Sequence, residues 1–65
     1  MKITVNGNPH ELEAATLGAA LTALGYSDAT VATAVNGQFV PGTARANHTL
    51  HDGDSIEVLA PMQGG

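Results

Sequence analysis

Cysteine is absent from this 65-residue chain, which closes off a disulfide framework, a thiolate metal cage and any thiol nucleophile of its own. Sulfur or thiol chemistry, if it occurs here, is brought by another protein. Aromatic residues are nearly missing, with one tyrosine (Tyr26) and one phenylalanine (Phe39). Basic residues are as scarce: Lys2 and Arg45 stand against six carboxylates, Glu11, Glu13, Asp28, Asp52, Asp54 and Glu57, for a net charge near −4. A nucleic-acid partner needs a basic surface and usually stacking rings, so none is expected. No apolar run approaches the ~20 residues of a membrane span, and no signal-type apolar core precedes the first strand. The expectation is a soluble, cytoplasmic protein with no membrane attachment.

Linkers, low-complexity tracts and internal repeats are also lacking, so residues 1–65 are expected to make one domain. A domain of this size buries only about 60% of the surface that its unfolded chain exposes, and its core is small. Residues 2–6 alternate polar and apolar, the period of a half-buried strand, and Asn6 with Gly7 supplies hairpin chemistry. Pro9 is expected to keep the connection from continuing as a ladder, with the return strand over residues 10–14 and Ile3, Val5 and Leu12 on the inner face. Thr16 reads as an N-cap. Leu17, Ala20, Leu21 and Leu24 follow at i, i+3, i+4 and i+7, one face of a short helix of about two and a half turns, with Gly25 at its C-terminal turn.

Residues 31–35 are rich in β-formers, Asn36 and Gly37 signal a second hairpin, and residues 38–40 return before Pro41 ends the pairing. Residues 42–49 read as irregular. Asp52, Gly53 and Asp54 form a turn, and residues 55–59 make a last strand with Ile56 and Val58 pointing inward. The element order is α+β: a mixed four- to five-stranded sheet crossed by one main helix, whose first and last strands pair in parallel through a right-handed crossover. This is the order of the ubiquitin-like β-grasp. Beyond residue 61 nothing is left for the core, and a flexible tail is expected there. It closes on Gly64 and Gly65, whose bare backbone suits a covalent-carrier tail threading a narrow channel in another protein.

Ala34, Val35, Asn36 and Gly37 with Val40 and Pro41, then Leu50, Asp52, Gly53, Asp54, Ile56, Glu57, Val58 and the final Gly64 and Gly65, come in an order and spacing that together resemble the ThiS family. Members of that family are sulfur carriers of thiamine biosynthesis. Such carriers often have an arginine directly after the proline and a tryptophan a few residues on. Here residues 42–46 read Gly, Thr, Ala, Arg, Ala, with Arg45 as a displaced counterpart.

The resemblance implies a protein cosubstrate and not an enzyme. Gly65 would be adenylated by a ubiquitin-activating-like adenylyltransferase that consumes ATP and Mg, since a free carboxylate is a poor electrophile. A persulfide sulfur donor would then displace AMP, and reductive cleavage would leave a thiocarboxylate for thiazole synthase. Gly64 and Gln63 would thread the partner's active site, while Met62, Leu59 and Phe39 are candidate partner contacts, Phe39 and Leu59 having covers for the ends of the sheet as their plainer role. No cofactor is expected on the chain itself.

Other readings compete with this one. The small subunit of molybdopterin synthase shares the fold and the terminal pair but is usually longer, and a non-covalent β-grasp interaction module would have no use for a free Gly-Gly end. His48, His51, Asp52 and Asp54 have metal-ligand residue types, but a solvated turn is the expected arrangement, and no metal is assigned. Asp52 to Asp54 lacks the downstream glutamate of a calcium loop. Glu11 and Glu13 share a strand face and read as solvated rather than as an acid-base pair.

Overall fold

The structure, a computed structural model, describes residues 1–26 and 30–60. The tail expected from about residue 61 lies outside the described residues. The elements are β1 (Lys2–Val5), β2 (Asn8–Glu11), α1 (Leu17–Ala23), β3 (Ala32–Val35), β4 (Gln38–Val40), a 3-10 helix (Gly42–Asn47) and β5 (Ser55–Leu59). They build one five-stranded sheet in the order β2-β1-β5-β3-β4. β5 runs parallel to β1 and antiparallel to β3, and the two outer pairs are antiparallel hairpins. This is the mixed sheet with one crossing helix expected of a β-grasp.

Both hairpins turn on Asn-Gly pairs with positive φ throughout: 52° and 82° at Asn6 and Gly7, 51° and 83° at Asn36 and Gly37. Those angles give the turn a twist that matches the flanking strands, and asparagine and glycine are the residues that reach them most readily. At the start of α1 the Thr16 hydroxyl accepts from the Ala19 N–H at 3.2 Å. At its end, Gly25 N–H reaches Thr22 O and Tyr26 N–H reaches Leu21 O, the paired bonds of a Schellman close. Seven residues are too few for a helix stable in isolation, so α1 depends on the sheet beneath it.

Leu17, Ala20 and Leu21 face that sheet and share one core with Ile3, Val5, Val35, Val40, Leu50, Ile56 and Val58. Leu50 reaches the core from the segment after the 3-10 helix. Its N–H donates to Ala15 O and the Leu17 N–H donates to His48 O, so this segment closes the N-terminal end of α1. The 3-10 helix lies against α1 at Gly18, where an added Cβ would sit 3.4 Å from Arg45 O.

Three sequence expectations need correction. β2 spans Asn8–Glu11 and not residues 10–14, and Pro9 pairs with Thr4 inside the ladder. β2 is an edge strand, and antiparallel alternation from the Val5–Asn8 pair that closes the turn leaves Thr4 and Pro9 as a non-hydrogen-bonded pair. The missing proline N–H costs the ladder nothing there. Leu12 lies past the strand, half-buried against the core, with its N–H donating to Met1 O. Residues 42–47, expected to be irregular, wind into the 3-10 helix.

Candidate functional site

β5 is the central strand, and its far end leads out of the sheet. What fixes it is a pair of asparagines that do more than turn hairpins. The Asn6 amide donates to Val58 O at 3.1 Å while the Val58 N–H donates to Asn6 Oδ1 at 2.8 Å. On the other flank the Asn36 amide donates to Asp54 Oδ1 at 3.0 Å, and the Ser55 N–H donates to Asn36 Oδ1 at 2.9 Å. Backbone bonds from Asn6 N–H to Ile56 O and from Asn36 N–H to Ser55 O complete both clamps. The Asn6 side chain thus acts as one more residue of ladder beside β5, and the Asn36 side chain ties the start of β5 to the Asp54 carboxylate, each held by turn geometry with positive φ.

Alternation along β5 sends Ile56 and Val58 into the core and Ser55, Glu57 and Leu59 to the open face. The register sets Ala34 of β3 between Phe39 of β4 and Glu57 of β5, and sets Ala32 beside Leu59. Phe39 and Leu59 are each 69% exposed. They stand on the solvent face of the sheet with small alanines between them, so neither caps an end of it. A shallow hollow lined by Ala32, Thr33, Ala34, Phe39, Glu57 and Leu59 continues, through the shared Ala32 and Leu59, into a second lined by Thr30, Val31 and Ala60. An open apolar face therefore runs from Phe39 to Ala60. Large exposed apolar groups gathered around small ones are the usual composition of a docking surface.

On the helix side, Arg45 braces the same strands. Its Nε donates to Thr33 Oγ1 at 2.9 Å and its Nη2 donates to Val31 O. Thr33 is the one buried polar side chain among the described residues, and its hydroxyl donates to Val40 O at 2.9 Å. Arg45 thereby ties the 3-10 helix to β3, which gives residues 42–46 a structural role where they depart from the family pattern.

Asp54 Oδ2 accepts from the His51 N–H at 2.8 Å. That bond holds its carboxyl below the usual aspartate value, opposed by burial and aided to a lesser degree by the Asn36 amide and the nearby His51 and His48. Among the described residues no three His, Cys, Asp or Glu side chains gather as metal ligands would. Glu11 ends β2, and Glu13 lies beyond it, so the two share no strand face; both are exposed. Among the described residues no helix is long and apolar enough to cross a membrane.

Phe39 and Leu59 are thus brought together on one face, with Ala60 at its edge. Met62, Gln63, Gly64 and Gly65 lie outside the described residues. Sequence reasoning missed Glu57 as a member of this face and the asparagines as clamps. The alternation of residues 55–59 already placed Glu57 beside Leu59, and that signal was available; the clamps span 52 and 19 residues of chain and left no local trace.

Residues 3–65 match the ThiS family model. The chain is 38% identical over 63 residues to the sulfur carrier protein ThiS of Thermus thermophilus, covering 97% of this chain and 98% of that one. The crystal structure of a thiamine biosynthesis protein (ThiS) from Geobacter metallireducens superposes with a TM-score of 0.79 at 36% identity, covering both chains fully. A solution structure of a thiamine biosynthesis protein from the same organism gives 0.78 at 33% identity, over all of this chain and 88% of that one.

Proposed function

The chain belongs to the ThiS family, and from that membership we propose that it carries sulfur for thiamine biosynthesis as a thiocarboxylate on Gly65. It is a small carrier and not a catalyst. The observation that supports this reading most directly is the reach of the family match, which runs from residue 3 through Gly65 and so includes the Gly-Gly pair.

The chemistry follows from what a terminal carboxylate cannot do. Its charge and resonance repel nucleophiles, so it must first gain a leaving group. The Gly65 carboxylate attacks the α-phosphorus of ATP in a ubiquitin-activating-like adenylyltransferase, with Mg, and pyrophosphate departs. The terminal sulfur of a persulfide on a donor enzyme then attacks the acyl carbon and AMP leaves, giving an acyl disulfide. A second thiol attacks the donor's sulfur of that disulfide. A protein disulfide forms, two electrons pass to the acyl-bound sulfur, and a thiocarboxylate remains on Gly65. That sulfur is a nucleophile delivered to thiazole synthase.

In this scheme Gly64 and Gln63 occupy the partner's channel, and Met62 contacts its mouth. Phe39 and Leu59 dock the body of the carrier, since their open face borders Ala60, where the described chain leaves β5. The test is intact mass after incubation with ATP, Mg, the adenylyltransferase and a persulfide donor with a thiol reductant. The parent should gain the mass of one sulfur-for-oxygen exchange. Deleting Gly65 draws the reacting carbon back by about 3.5 Å, and Gly64→Val adds a side chain where bare backbone must pass, so both should remain unmodified while circular dichroism shows the parental fold. A folded Gly65-deleted chain that acquires sulfur at the parental rate overturns the proposal.

A further inference from the structure

Glu57 lies where an apolar docking face should least tolerate a charge. It sits directly across Ala34 from Phe39 and two residues before Leu59 on the same side of β5, in the hollow that those two side chains flank. Among the described residues no hydrogen bond or ion contact engages its carboxylate, while its backbone pairs with Ala34 in the ladder. Neither basic side chain of the chain bonds to it: Arg45 binds Thr33 and Val31 on the helix side, and Lys2 is exposed at the start of β1. A partner that covered Phe39 and Leu59 with a purely apolar surface would strip water from this carboxylate and return nothing, a cost larger than the contact would gain.

We propose that Glu57 selects the partner's charge: the surface of the adenylyltransferase that receives Phe39 and Leu59 carries a lysine or arginine that closes onto the Glu57 carboxylate. This rests on the carrier reading above and adds the chemistry of the partner's contact. A second copy of this chain is a poorer occupant. Two-fold pairing centred on Phe39 and Leu59 brings the two Glu57 carboxylates toward each other, while Lys2 stands on β1 toward the end of the sheet away from Leu59. A basic enzyme surface is also drawn toward this chain over distance by its net charge of −4.

The experiment is a binding titration of the chain against the adenylyltransferase at low and high sodium chloride, run beside the sulfur-transfer assay. Variants are Glu57→Gln, Glu57→Lys and, as an exposed carboxylate beyond the end of β2, Glu13→Gln. Removing the charge should weaken low-salt binding by about tenfold and flatten its salt dependence, and reversing it should weaken binding by about a hundredfold. Glu13→Gln should stay within about twofold of the parent, as a change in a screened outer charge does. If the parent gains sulfur while both Glu57 variants bind as it does with the same salt slope, the assignment of Glu57 is overturned and the carrier reading stands. A parent that binds but never gains sulfur removes the carrier reading, and this proposal with it. Sedimentation of the parent as a dimer that Glu57→Lys changes would give the face to a second copy and overturn the proposal.

Discussion

Replacing Asn6 with alanine tests how far the fold relies on its side-chain clamps. The substitution removes both bonds to Val58, each with a net worth of about 1 kcal/mol, and leaves a half-buried N–H and C=O with water as their substitute. It also places an ordinary β-carbon at φ 52°, where asparagine is tolerated and alanine costs about 1 kcal/mol. The sum is about 3 kcal/mol. A domain of this length holds roughly 3–10 kcal/mol in all, so the variant should be near its limit and is best measured by urea titration at low temperature. Glycine at the same position separates the contributions, because it loses the clamp and keeps the backbone angle. Asn6→Gly should lie about 2 kcal/mol below the parent, and Asn6→Ala about 1 kcal/mol below that. An Asn6→Gly midpoint within error of the parent, at unchanged slope, would show that the Val58 bonds contribute nothing and that the turn alone defines this corner.

Leu21→Ala should cost about 2–4 kcal/mol in urea or thermal unfolding, since Leu21 is buried on the one described α-helix and no second layer can collapse into the cavity. Parental stability in that variant would mean that the wrong face of α1 has been assigned to the core. The Asp54 carboxyl titrates below its ordinary 3.8 in the fold, so its contribution is whole above that value in the unfolded chain and is lost as pH falls through the lowered one. The gap in thermal midpoint between the parent and Asp54→Asn should therefore be steady from pH 7 to about pH 4.5 and shrink below about pH 3.8. A gap independent of pH down to 2.5 contradicts the bond to His51 as the cause.

Local signals carried most of the architecture. Period-two alternation identified β1 but misplaced β2, β-rich composition identified β3, the two Asn-Gly pairs identified the hairpins, and Leu17, Ala20 and Leu21 marked the buried helix face. What escaped was stabilised by distant partners. The 3-10 helix has no apolar periodicity of its own and is held by Arg45 on Thr33 and by the close approach at Gly18. Pro9 was misplaced because its tolerance depends on lying at the sheet's edge, which only the strand order reveals. The same limit applies to the open apolar face of the sheet. Alternation predicts which side Phe39 and Leu59 take, but their union with Glu57 requires the register of β3 between β4 and β5.

The place of β5 in the sheet has a consequence for how the domain comes apart. β1 and β2 form one hairpin, β3 and β4 another, and neither hairpin pairs with the other except through β5. Detaching this strand is not a local opening, since it takes Ile56 and Val58 out of the core, releases both asparagine clamps and leaves two isolated hairpins that are marginal in water. Fraying at β2 or β4 can occur in steps, whereas β5 leaves only with the whole domain. In the proposed carrier role, an enzyme that receives the chain beyond Ala60 gains no reach by unzipping the strand before it. Amide exchange at Val58 should accordingly report the global unfolding free energy.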